Sequence, residues 1–193
     1  MFYPRSELEN MGFKHLGENV LIDTRTTIDN PERISLGSNV KIGSYAILSG
    51  DVEIGSFVHI ASFCGLYGGA GIFIDSFVSI SNRVCLITES DDYSGESMSA
   101  PFVPDKYRFN IRRGKIDVKK HCIIGSGSLL LPAIKLAEGV AVGAMSMISG
   151  ETDPWGIYVG IPARKIKDRS RNILELEKSF LREIGKNFEN FNH

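Results

Sequence analysis

Tryptophan occurs once and cysteine three times in 193 residues, too few for a disulfide framework to hold the chain together. Cys64, Cys85 and Cys122 share no metal-like spacing, and reduced thiols are expected. Histidine is scarce as well: there are four, no two of them spaced as ligands on one strand, so no metal site is expected. Long apolar runs are missing, which excludes an obvious bilayer-spanning helix, and no apolar leader follows Met1; a cytoplasmic location without membrane insertion is the expectation. A surplus of charge is missing too. The net charge of −1 and pI near 6.4 provide no basic field for nucleic acid or an anionic surface.

What is present is a period of six. Leu36, Ile42, Leu48, Ile54, Ile60 and Leu66 form an unbroken series. Ile74, Ile80 and Leu86 resume it after a two-residue slip through Gly68, Gly69 and Gly71, and Val118, Ile124, Leu130, Leu136, Val142 and Ile148 complete it. A small or β-branched residue precedes each by two positions, as Val40, Val58 and Cys122 do. Six matches neither the 3.6 of a helix nor the 2 of a plain strand. It matches a short strand plus a corner, repeated as one side of a stacked coil. Three sides per turn send every aliphatic inward and pair the backbone between turns as parallel sheet. Gly37, Gly43, Gly55, Gly125 and Gly143, each next to an inward aliphatic, suit backbone conformations that a side chain would obstruct.

These hexads, with their Ile-Gly and Val-Gly steps, resemble the left-handed β-helix (hexapeptide-repeat) acyltransferases. Gly160-Ile161-Pro162-Ala163-Arg164-Lys165-Ile166-Lys167 is similar to the motif that closes the coil in many of them. The resemblance implies an all-β fold, a left-handed parallel β-helix over residues 15–168, and a homotrimer. It also implies acetyl-CoA as acyl donor, with Ser126, Gly143, Ala144 and Ser149 matching places where small residues admit the pantetheine arm. Arg164 and Lys167, three apart, could address the coenzyme phosphates, Arg through its planar fork and Lys as a point charge.

A 28-residue stretch, 88–115, interrupts the coil, and a loop that long inside a regular solenoid is seldom only a connection. The galactoside and maltose O-acetyltransferases, which the chain also resembles, carry a catalytic histidine in the equivalent loop; the matching residue here is Asp91. Aspartate is a weaker base than histidine at neutral pH unless a second carboxylate, such as Asp92, raises its pKa. His59, between the inward Val58 and Ile60, must project outward. A histidine at this register occurs in related enzymes that acetylate nucleotide-linked amino sugars. The expectation is therefore that His59 is the general base, with Asp91 or Asp92 binding the sugar or orienting the imidazole across a subunit boundary.

One domain is expected over 1–193: a helical cap in 1–14, the coil in 15–168 with the loop 88–115, and a C-terminal helix and tail in 169–193. Ser6 and Glu9 make a capping-box pattern for a helix over 6–11 that Gly12 ends. Ile173, Leu176, Phe180, Leu181 and Ile184 share one helical face, Gly185 is the expected stop, and Asn187 to His193 a frayed tail. His15, His121 and His193 receive no role, and Trp155 packs a corner. The leading function is acetyl transfer from acetyl-CoA to a sugar hydroxyl, in surface-polysaccharide synthesis; N-acetylation of a nucleotide-linked amino sugar is the alternative. A zinc-binding or purely structural coil is a third reading.

Overall fold

Six stacked turns of three short strands make up the computed structural model, which describes residues 1–190. Face A carries His15–Leu16, Ile34–Leu36, the Val52–Ile54 end of a long strand, Ile72–Ile74, Ile116–Val118 and Lys135–Leu136, paired in parallel. Face B carries Leu21–Ile22, Val40–Ile42, Val58–Ile60, Ser79–Ile80, Ile123–Ile124 and Ala141–Val142. Face C carries Thr27–Asp29, then residues 47–49, 65–67 and 85–87, then Leu129–Leu130 and Met147–Ile148. This is the parallel β-helix that the hexads imply. Every aliphatic of the series is buried, and the residue two before each is buried as well.

The glycines after the inward aliphatics work by size rather than by backbone conformation. A Cβ on Gly37 would stand 2.7 Å from the carbonyl carbon of Gly55, and one on Gly43 2.7 Å from the nitrogen of Ser62. The left-handed corner falls two residues later, on Asn39 (φ 60°), Tyr45 (φ 57°) and Phe57 (φ 58°). A side chain there costs about 1–2 kcal/mol. Stacking between turns offsets it: Phe57 and Phe77 lie parallel with centroids 5.0 Å apart, and Phe77 stacks on His121 at 5.5 Å. Trp155, 5 % exposed, ends this A/B corner as expected.

One helix covers the first turn of the coil and another flanks its side. Helix α1 (Arg5–Asn10) puts Leu8, fully buried, over the first turn, and Gly12 (φ 77°) follows the helix. The capping box does not form: Pro4 is the N-cap with no side-chain cap bond, and Glu9 is held by Arg5 at 2.8 Å one turn away. Helix α2 (Ile173–Asn190) lies along the A/B corner, where Phe180 meets Phe57 and Phe77 edge-on. Gly185 does not end it; α2 continues to Asn190 because Gly185 does not take the positive φ that a glycine stop requires. The last three residues of the expected tail, Phe191 to His193, lie outside the described residues.

Candidate active site

The chain leaves face C after Ile87 and returns to face A at Ile116. The stems of this loop pair as antiparallel strands, Glu89–Ser90 with Arg112–Arg113, and Glu89 meets Arg113 at 3.0 Å. Asp92 organises the interior. Its carboxylate accepts bonds from the Ser94 N–H (3.0 Å), the Ser94 hydroxyl (2.8 Å), the Ser97 N–H (3.0 Å) and Asn110 Nδ2 (2.9 Å). The Ser94 backbone bond, then the Ser94 hydroxyl, hold its pKa down to about 2. Asp92 is therefore ionised near neutrality, and these four donors engage its carboxylate inside the loop instead of leaving it open to a ligand. Asp91 is the freer carboxylate: its side chain is 48 % exposed, with Arg108 Nη2 at 3.5 Å, the long limit of a hydrogen bond. A cavity of about 770 Å³ opens beside it, with an apolar floor from Ile87, Leu129, Leu131 and Met147 and a polar rim that includes Asp91, Asn110 and Arg112.

His59 opens into a different cavity. It projects outward from the middle of face B, as alternation requires, into a groove of about 640 Å³ between that face and α2. Burial first, and then the Lys41 ammonium, lower its pKa, so the imidazole is neutral at pH 7. Phe57, Phe77, Leu176 and Phe180 make the groove largely apolar. Within one chain His59 and the loop carboxylates share no cavity. His121, passed over in the sequence, anchors α2: its ring is 1 % exposed, and Nε2 meets Glu177 Oε2 at 2.8 Å, while Lys120 holds the other oxygen of Glu177. Its place in the Phe57–Phe77 corner column is the sequence signal that could have found it.

A third feature runs up the B/C corner. Gly43, Ala61, Ser81, Gly125 and Gly143 follow the inward residues of face B in successive turns, and Ser44, Ser62, Asn82, Ser126 and Ala144 come next to them. The Ser81 N–H donates to Ile124, Gly125 to Val142 and Gly143 to Tyr158, which fixes the stack. Ser126 and Ala144 are exposed, so the corner is a shallow strip of small residues. Ser149 is not part of it: it stands past the end of face C, at another corner. Ser81 went unnoticed because serine is not glycine, although it holds the hexad position of Gly125 and Gly143. It is half-buried, and its hydroxyl donates to no group among the described residues.

The strip ends at a hairpin. Gly156–Gly160 adds a strand to face B and turns back as Ala163–Asp168, with Arg164 opposite Val159. Val159 in turn lies over Gly143, where a Cβ would stand 2.7 Å from Val159 Cγ1. Lys165 is tied to Asp168 at 2.8 Å, whereas Arg164 and Lys167 are exposed and form no ion pair among the described residues. Arg164 thus stands at the upper end of the strip with Lys167 further along the same hairpin, and Ser81 lies midway down the strip, two turns below Gly143. All three cysteines are free; burial pushes the Cys122 thiol up to about 12.

Residues 33–68 match the family model described as bacterial transferase hexapeptide (six repeats). The chain is 39 % identical over 177 residues to the dTDP-4-amino-4,6-dideoxy-D-glucose acyltransferase of Escherichia coli, covering 90 % of this chain and 92 % of that protein. It superposes on AntD, an N-acyltransferase from Bacillus cereus solved with dTDP and 3-hydroxybutyryl-CoA, with a TM-score of 0.93 and 48 % identity, covering 95 % of this chain and 98 % of the other. Solved AntD variants replace a serine and an aspartate ten positions further on. The maltose O-acetyltransferase of Clostridium difficile shares the fold at 18 % identity, with a TM-score of 0.59 over 86 % of this chain and 75 % of that one. Among the described residues, no helix is long and apolar enough to cross a membrane.

Proposed function

This chain belongs to the hexapeptide-repeat acyltransferase family, and we propose that it transfers an acyl group from acyl-coenzyme A to the amine of a dTDP-linked 4-amino-4,6-dideoxy sugar. The observation that carries this reading is the 48 % identity through 95 % of the chain with an N-acyltransferase bound to dTDP and an acyl-CoA. The hydroxyl acceptor, the leading expectation from the sequence, gives way to its alternative. A sugar hydroxyl needs a strong base near the attacking oxygen, and the loop offers Asp91 in place of a histidine. An amine loses its proton far more readily, and a carboxylate that binds it as ammonium is sufficient.

In this reading the pantetheine arm lies along the B/C corner, its phosphates near Arg164 and Lys167 and its thioester near Ser81, past Gly143, Ala144, Gly125 and Ser126. Asp91 exchanges its long contact with Arg108 for the ammonium of the acceptor. Once that nitrogen has released a proton to water, its lone pair attacks the thioester carbonyl carbon. The Ser81 hydroxyl donates to the developing oxyanion. The tetrahedral intermediate collapses with cleavage of the C–S bond; the sulfur leaves as thiolate and takes up one of the two protons still on nitrogen, giving the N–H amide and coenzyme A. Ser81 and Asp91 stand ten positions apart in this chain, the separation of the two residues varied in AntD. Three copies around a threefold axis, working in the cytoplasm to supply surface-polysaccharide synthesis, complete the proposal.

The test is thiol release from acetyl-CoA and 3-hydroxybutyryl-CoA, each offered dTDP-4-amino-4,6-dideoxyglucose or a panel of hydroxyl sugars. Turnover confined to the amino sugar is expected. Turnover confined to the hydroxyl sugars would overturn the proposal.

A further inference from the structure

The two-residue slip at Gly68, Gly69 and Gly71 has a place in the structure that the coil alone does not require. Strand Ile47–Ile54 pairs with Gly65–Ile74 in register up to Gly50 with Gly68, and resumes with Val52 opposite Ile72. Residues 69–71 therefore stand where one residue, Asp51, stands in the turn below. This bulge occupies the C/A corner between the third and fourth turns. Cys85–Ile87 stacks on Gly65–Tyr67, and Ile116 on Ile72, so the corner directly above the bulge is the one where the loop departs and returns.

Four hydrogen bonds converge on Thr88, 1 % exposed: two to the end of the face C strand below, one to the bulge and one to the returning stem. The Thr88 hydroxyl donates to the Tyr67 carbonyl (2.8 Å) and accepts from the Ala70 N–H (3.0 Å). Its N–H donates to the same carbonyl at 3.2 Å, and its own carbonyl accepts from Gly114 N–H, on the returning stem, at 2.9 Å. Gly69 is small because Glu89 lies across it: a Cβ there would stand 2.6 Å from Glu89 Oε1, the oxygen that binds Arg113. The bulge supplies the Ala70 N–H at the height of the loop root, the strand leading into it supplies the Tyr67 carbonyl, and the Thr88 hydroxyl binds both.

We propose that the Gly68–Gly71 bulge is a pedestal and that Thr88 is a positioning residue, setting where Asp91, three residues on, presents its carboxylate to the acceptor. The kinetic part rests on the amino-sugar reading above; the geometric part does not. In a site where about 1 Å of displacement can cost up to a hundredfold, a fixed root matters. Between the root and Asp91 the stem is held by the pairing of Glu89–Ser90 with Arg112–Arg113 and by the Glu89–Arg113 ion pair.

Two measurements separate the parts. Thr88→Val keeps the shape and removes the hydroxyl, leaving Ala70 N–H and Tyr67 C=O without it; Thr88→Ser restores it. Hydrogen exchange across the chain should quicken about tenfold or more within 88–115 in Thr88→Val, with strands 34–66 unchanged and Thr88→Ser like the parent. Uniform exchange in parent and valine variant overturns the pedestal whatever the reaction is. In the thiol-release assay, Thr88→Val should raise the amino-sugar KM about tenfold and leave the acyl-CoA KM within about twofold, with the serine variant restoring the amino-sugar KM. Equal rises in both KM values, or no rescue by serine, overturn the positioning role even if the loop loosens. If Thr88→Val does not fold, Gly69→Ala, which pushes only on the flexible end of Glu89, carries the same two readouts. Absence of amino-sugar turnover in the parent protein counts against the proposed reaction and leaves the exchange test intact.

Discussion

Replacing Asp91 with Asn tests whether the loop carboxylate binds a cationic acceptor. The substitution keeps size and polarity and removes only the charge. In the free protein little is lost, since among the described residues the side chain of Asp91 meets only Arg108, at 3.5 Å, and is about half exposed. Such a surface pair contributes about 0–1 kcal/mol, so stability should hardly move. A charge-assisted bond to an ammonium contributes about 1.5–3 kcal/mol where water is excluded. Half-exposure argues for the lower part of that range, about 1.5–2 kcal/mol, which corresponds to roughly 10–30-fold in kcat/KM. The loss should appear in the amino-sugar KM, while the KM for acyl-CoA stays within about twofold. Initial rates of thiol release, with each substrate varied at saturation of the other, measure both. An Asp91→Asn variant with unchanged amino-sugar kcat/KM, or one whose acyl-CoA KM rises instead, refutes the reasoning.

Four further outcomes follow from the same geometry. Ser81→Ala should lower kcat by about 10²-fold with both KM values little changed, as expected for an oxyanion donor; a change in KM alone would remove that role. His59→Ala should leave turnover within about threefold, because His59 faces the α2 groove; a loss of about a hundredfold or more would restore it as a general base reaching a neighbouring copy. Arg164→Ala with Lys167→Ala should raise the KM for acyl-CoA about tenfold or more and leave that for the amino sugar alone; the reverse split would move the phosphates elsewhere. Asp92 has a folded pKa of about 2, below its unfolded value near 3.9, so its contribution is complete above about pH 4 and is lost as pH falls toward 2. Proteolytic nicking within 88–115 by pepsin should therefore rise from pH 4 to pH 2 in the parent protein and be already high at pH 4 in Asp92→Asn; equal nicking of both at pH 4 would contradict this.

Counting along the chain is enough to define the coil. A six-residue period has only one economical solution in which each aliphatic is buried, and the inward residues, the outward turn of His59, the interrupting loop and the corner packing of Trp155 all follow from it. The same count places small residues at Gly125, Ser126, Gly143 and Ala144, because local repetition makes them equivalent. The handedness came with the family resemblance, not with the period.

Whatever depends on neighbours from other turns is fixed only in the wound molecule. Asp91 and Asp92 are adjacent and chemically alike, yet four donors drawn from Ser94, Ser97 and Asn110 saturate one and leave the other open. His59 and His121 look equally isolated in the chain, but only the return of α2 encloses one in a groove and makes the other an anchor for Glu177. Ser149 keeps the company of Ser126 on paper and stands at another corner in space, since the three-sided turn sends every third hexad to the same face. The glycines that seemed to supply unusual backbone angles supply room instead, because consecutive turns approach so closely that a single methyl group would collide. Period and pattern are properties of one turn and can be read along the chain; contacts between turns are made by residues 16 to 20 apart, or 44 apart across the loop, and exist only once the coil is wound.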